Sequence, residues 1–458
     1  MQMPSWLEKA FTVESGATFV ASYFSLSFVF SDFGVSAILG AIIFMLYAAA
    51  YCFVNRRAIG SARMLLRDRT ATLFILFVLL VAVQFIRIFE WNHTVIYYLI
   101  IVTCSTTVLL VARFMQEPCA FRIGRAILVA AGSLAALLNI LFWILPSQTW
   151  FALACAMSPS TLQYNYGLAS EGYGLALGGS IGYTGALMSM AVFAIVSDTA
   201  NCKRPRYIIF LFLIFIGLFL LQRRSEAACA IVILGVTWVL QLVHTKKADG
   251  VNVVQFPQVL KTIIIEAVVV VLAFSLVVLT PGNDRMLETT KSLETPQVST
   301  SQHDEGLLAN EVGGDFSNGR LILWQLAFEE FQKSPLIGNG WGYYAKVAPQ
   351  SGNTHVTNAH NIALQLLCET GVVGFVLVAA LFVSISIDSI RALRQARSNS
   401  AVFSNVLLSI AFVLFLLLEG LFDNTIYYPF DYLLLVLSSL LISNCMKLDT
   451  LTPEGQIN

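Results

Sequence analysis

The chain has 458 residues, 57% of them hydrophobic and 12% charged, with mean hydropathy +0.76 and 27 basic residues against 27 acidic ones. Soluble domains carry about a quarter charged residues, so a soluble globular protein is excluded. A net charge of zero argues neither for nor against nucleic acid. The eight cysteines (52, 104, 119, 155, 202, 229, 368 and 445) lie mostly in or beside apolar runs. They imply neither a disulfide framework nor a Cys/His metal site.

Apolar runs near twenty residues, the length of a helix that crosses a bilayer, recur along the chain. Twelve spans are predicted: 17–31, 34–54, 70–89, 94–112, 125–145, 172–196, 206–221, 226–243, 262–280, 360–387, 401–420 and 430–446. The fold expected is an all-α polytopic membrane protein. It divides into helices 1–9 over 1–280, a polar loop over 281–359, helices 10–12 over 360–446 and a tail over 447–458. Residues 1–16 are short and polar, with no cleavable signal evident. Piece 146–171 reads as re-entrant or interfacial.

Alternate loops carry the basic residues: Arg56, Arg57, Arg63, Arg67 and Arg69; Arg113, Arg122 and Arg125; Lys203, Arg204 and Arg206; Lys246, Lys247 and Lys261; Arg391, Arg394 and Arg397. The positive-inside rule places those loops and both termini in the cytoplasm. Arg87, Arg223 and Arg224 then lie at the opposite face, as does the 281–359 loop. The first part of that loop is rich in Ser, Thr, Glu and Gln. Its second part has a helical stripe of Leu321, Trp324, Ala327, Phe328 and Phe331, with Ser317 as N-cap and Pro335 as terminator.

Within Gln222-Arg223-Arg224-Ser225, two arginines at an interface read either as a fork for phosphate oxygens or as snorkelling side chains among lipid headgroups. Ser225 and Glu226 are placed to orient them. Arg320 opens the loop helix, where a cation opposes the macrodipole, and Asp315 offers a salt-bridge alternative. Arg87 has an i, i+3 partner in Glu90. Asn358 is the expected N-cap of the tenth span, which puts His360 in its first turn at the water–hydrocarbon boundary. There an imidazole is either a proton acceptor or a side chain bonded to its neighbours. His355 lies in the loop, without the i, i+4 spacing of a zinc pair. Glu369 sits about 13 Å deeper, opposite His360 on the helix, and reads as a structural carboxylate bonded to a neighbouring helix. Asp32, in an outer turn, is a lone metal candidate. Asp423 and Asp431 flank the last outer turn, as sugar contacts or helix caps.

The run Asn358-Ala-His360-Asn361-Ile-Ala-Leu-Gln-Leu-Leu-Cys-Glu369-Thr-Gly371-Val-Val-Gly374 resembles a signature of the O-antigen ligase and polymerase superfamily. So does Gly319-Arg320-Leu-Ile-Leu-Trp324, followed by Ser334-Pro335-Leu-Ile-Gly338-Asn-Gly340-Trp-Gly342. The Arg223-Arg224-Ser225 hairpin is similar to that family's arginine between two central spans. This resemblance covers roughly 206–387. It implies a GT-C-like transferase of the bacterial inner membrane with its site on the periplasmic side. The donor implied is an undecaprenyl-pyrophosphate-linked glycan, and the acceptor is lipid A–core or another lipid-linked repeat. No metal or cofactor is implied. By resemblance, His360 activates the acceptor hydroxyl, while Arg320 and one of Arg223 or Arg224 bind pyrophosphate. Arg87, Asn361, Glu369 and His355 are possible supporting residues. A transporter or flippase for lipid-linked sugars is the competing reading.

Overall fold

The computed structural model describes residues 11–32, 37–55, 69–87, 118–145, 157, 162–163, 165–166, 168, 173–177, 180–198, 205–247, 256–279, 320–348, 358–396 and 400–423. The predicted spans 94–112 and 430–446 lie outside these, as do His355, Asp315, Ser317, Glu90 and Asp431.

The helices are α1 (Val13–Asp32), α2 (Ala37–Val54), α3 (Arg69–Arg87), α4 (Pro118–Ile144), α5 (Ile181–Val196), α6 (Pro205–Leu220), α7 (Arg224–Lys247), α8 (Phe256–Val278), α9 (Arg320–Lys333), α10 (Tyr344–Val347), α11 (Ile362–Gln395) and α12 (Ser400–Glu419). Five stretches within them are long and apolar enough to cross a membrane: Ala120–Ile144, Arg224–Thr245, Phe256–Val278, Ile362–Arg394 and Val402–Glu419. Shorter apolar helices run over Ile42–Val54, Arg69–Gln84, Ile181–Val196 and Pro205–Leu220. Helix α4 packs against α1, α5 and α6, α5 also against α7, and α12 against α7 and α11. Every residue of α5 is buried, so it forms the bundle's axis. Helix α8 turns Val268, Val271, Leu272 and Leu276 outward, as a hydrocarbon solvent permits.

The predicted span 172–196 is corrected. Its first part is not helical: residues 173–176 are irregular, and Leu177 bridges Ser180 before α5 begins. Non-helical backbone within a bundle must find polar partners elsewhere. Here the Asn139 side chain accepts from Leu175 N (2.9 Å) and donates to Leu175 O (3.4 Å). Asn165 does the same for Ala176 (2.7 and 3.0 Å), and the Thr184 hydroxyl accepts from Leu177 N. Ser180 then caps α5 by accepting from Tyr183 N.

Helix α11 is broken at Gly371, where φ is 65° and ψ is −170°. Freed backbone groups there bond to the segment that follows α9. Asn339 N and Gly340 N donate to Cys368 O and Glu369 O, while Val372 N and Val373 N donate to Pro335 O and Leu336 O. From α3, Gln84 Nε2 reaches Ile337 O at 2.6 Å. The Glu369 carboxylate, fully buried, accepts from Gly342 N (2.8 Å) and Tyr344 N (3.0 Å). It is structural, as expected, but its partners are a loop and the start of α10. Thus the two glycine-containing motifs of the sequence are one interlock.

The buried face of α9 is Leu323, Ala327 and Glu330. The expected stripe is therefore offset, with Leu321 and Phe328 exposed. The inward face packs on α11, where Ala327, Tyr344, Ala348, Ala359 and Cys368 share one cluster. Pro335 does end the helix, two residues after Lys333.

A β-carbon at position 371 would lie 2.4 Å from the Leu336 backbone, at a φ that side chains rarely adopt. Gly371→Ala is expected to cost on the order of 3 kcal/mol. It would be read as a lowered unfolding temperature in detergent; an unchanged transition would contradict the interlock.

Candidate active site

The turn between α6 and α7 has only three residues, closed by Gln222 in the left-handed region (φ 59°). It delivers Arg223 to the end of the bundle beside the last turn of α12. The Arg223 guanidinium meets three carboxylates: Nε lies 2.6 Å from Glu226, Nη2 3.6 Å from Glu419, and Nη2 also bonds Asp423. All three acids are buried. The Ser225 hydroxyl, 2.8 Å from Glu226 and 3.3 Å from Glu419, bridges two of them. Helix α5 makes room: a β-carbon on Gly182 would lie 2.4 Å from Arg223 Nη1.

His360 lies on the other side of Asp423, with Nδ1 3.2 Å from Oδ1. It is not in the first turn of α11. Asn361, rather than Asn358, is the N-cap, accepting from Leu364 N. His360 precedes that cap in the left-handed region (φ 48°). Two bonds hold it there. Ile362 N donates to Gly420 O across the α11–α12 junction, and Ala359 N donates to Gln365 Oε1. Gln365 in turn donates to Glu369 (3.3 Å), so the histidine turn is linked to the α11 interlock.

Burial alone would raise the Asp423 carboxyl. The Arg223 charge and the hydrogen bond and charge of His360 outweigh it and hold the group below the ordinary aspartate range. An ionised carboxylate only accepts, so Nδ1 of His360 carries the proton of this contact, and in the neutral imidazole Nε2 is the nitrogen with the lone pair. The histidine side chain is 32% exposed, against 2% for Asp423. The result is an oriented imidazole, partly exposed, with a covered carboxylate behind it.

The acidic oxygens of Glu226, Glu419 and Asp423 lie within 4.8 Å of one another, which a cation could bridge. The guanidinium of Arg223 already occupies that position. A metal would have to displace it.

The other expected residues stand at the ends of helices. Arg224 opens α7 with an exposed side chain, and half-buried Arg320 opens α9. Arg87 is the last residue of α3, three beyond Gln84. Asp32 closes α1. Glu226 does hold Arg223, as expected of a residue placed to orient the arginines. Glu419 and Asp423 were not recognised as its partners, although both fall at the end of an apolar span. Gln365 was also missed; its signal was the i, i+4 spacing to Glu369.

Arg223→Ala would leave buried carboxylates facing one another, at a cost of about 3–5 kcal/mol. A large fall in unfolding temperature is expected, and wild-type stability would contradict the clamp. Because the folded Asp423 carboxyl is depressed, its contribution is fully present above the ordinary aspartate range. It is lost only as pH falls below that range. A stability profile in detergent should therefore stay flat in this contribution through neutral pH.

A search of curated proteins found no match to the chain. Residues 209–379, a little over a third of it, match the family model described as O-antigen ligase. That segment runs from α6 to the middle of α11 and carries Arg223, Arg224, Arg320, His360 and the interlock. Over that segment the chain is similar to the O-antigen ligase family, in agreement with the resemblance read from its motifs.

Proposed function

We propose that the protein is a glycosyltransferase that moves a glycan from undecaprenyl pyrophosphate to a sugar hydroxyl, as an O-antigen ligase with lipid A–core as acceptor. The observation that carries this reading is the Asp423–His360 pair, which leaves Nε2 available at the end of the bundle where Arg224 and the helix opened by Arg320 also lie. In this reading that end is the periplasmic face of the bacterial inner membrane, with both termini in the cytoplasm.

His360 Nε2 takes the acceptor proton as the hydroxyl oxygen attacks the anomeric carbon. The bond from that carbon to the pyrophosphate oxygen breaks, and the lipid pyrophosphate departs with the bonding electrons. Attack from the opposite side inverts the anomeric centre. The imidazolium formed is stabilised by Asp423. Arg320 and Arg224 stabilise charge on the leaving group. Arg223 has a different role: a pyrophosphate placed on it would face three carboxylates, so it positions Asp423 instead. In this reading the reaction is metal-independent, which the guanidinium inside the acidic cluster supports.

Purified protein given lipid-linked glycan and lipid A–core should form product on the core. His360→Ala should lower the rate by about 10²–10⁴-fold with folding retained. A lengthening lipid-linked ladder instead would make it a polymerase, and wild-type transfer by the alanine variant would remove His360 from the mechanism. Activity should survive EDTA; a loss restored by a divalent metal would contradict the metal-independent reading.

A further inference from the structure

The end of the bundle opposite His360 holds a feature that glycan transfer does not use. Between α5, α6 and α8 lies a cavity of about 420 Å³, within the size range of small-molecule sites. Its walls are apolar, with Ile195, Ile208 and Leu211 among them, and Gln258 and Lys261 from the first turns of α8 also line it. Tyr207 lies at the same level, and the Arg206 guanidinium stands 5.2 Å from the centre of its ring. Along α6, Tyr207 and Leu220 are thirteen residues apart, about 20 Å at 1.5 Å per residue, and Arg223 lies beyond Leu220. The two sites are therefore separate.

We infer that this cavity binds an anionic glycerophospholipid, with one acyl chain between α6 and α8 and the phosphate at Lys261 and Arg206. Both cations lie near helix N-termini, and neither α6 nor α8 has an acidic residue in its first turn. Helix dipoles therefore add to the positive field. Glu266 is the acid that lines the cavity. It lies five residues beyond Lys261 and is held by Trp238 Nε1 at 2.6 Å, which sets it away from the headgroup level. Lipid-facing Ile209 and Ile264 flank the site, so a membrane lipid reaches it laterally. A phosphodiester on a hydrocarbon chain matches a cationic rim over apolar walls; a net-neutral headgroup leaves the two cations without a counter-charge.

The test is native mass spectrometry of the full chain released from nanodiscs of mixed phosphatidylglycerol and phosphatidylcholine. Wild type should retain phosphatidylglycerol with at least about fivefold preference, the scale of one basic side chain at a lipid surface. Lys261→Glu, a surface change, should abolish that preference, and Ile208→Trp should block retention by filling the cavity. Equal retention of both lipids by wild type, or an unchanged preference in Lys261→Glu, would overturn the assignment. So would retention by a folded Ile208→Trp variant, which would put the lipid outside the cavity. Displacement of phosphatidylglycerol by added undecaprenyl phosphate at equimolar amounts would overturn it in favour of the polyprenyl carrier.

Discussion

The break in α11 at Gly371 is the constraint from which the end of the molecule that carries His360 follows. A helix interrupted among packed apolar helices leaves carbonyl and amide groups that water cannot satisfy. The segment after α9 supplies the missing partners with its own backbone, and Glu369 accepts two further amides from it. That exchange fixes α9 and α10 against α11. Through Gln365 it also fixes the turn that holds His360. A carboxylate deep in an apolar helix, costly if exposed to lipid, is thus spent on positioning.

Charge at the site is arranged in a chain. Glu226 and Glu419 hold Arg223, Arg223 holds Asp423, and Asp423 holds His360. Taking one charge out of such a set leaves the others buried and unbalanced, so each member constrains its neighbour. Only the last member is substantially exposed. The arrangement separates two arginines that are adjacent in sequence: Arg223 is held among the carboxylates and bonds Asp423, while the Arg224 side chain lies on the surface.

What could be read from the sequence follows from the range of the interactions involved. Hydropathy over twenty residues is local and independent of partners, so the apolar helices were legible. Irregular Leu175 to Leu177 reads as helical in sequence because the asparagines that satisfy it, Asn139 and Asn165, lie 36 and 11 residues from their partners. The N-cap was misplaced from Asn361 to Asn358 for a similar reason. Both are asparagines, and the choice depends on the left-handed turn at His360 and its tie to Gly420. The histidine and the arginine pair stand out by type and position. Their connection does not, because Arg223 and Asp423 are 200 residues apart.

The most direct test of the account is a double-mutant cycle on transfer rate, combining His360→Ala with Asp423→Asn. If Asp423 acts through the imidazole, its substitution should slow wild type strongly but have little further effect once His360 is gone. Fully multiplicative losses would mean that the two residues act independently, and would contradict the pair as the centre of the site.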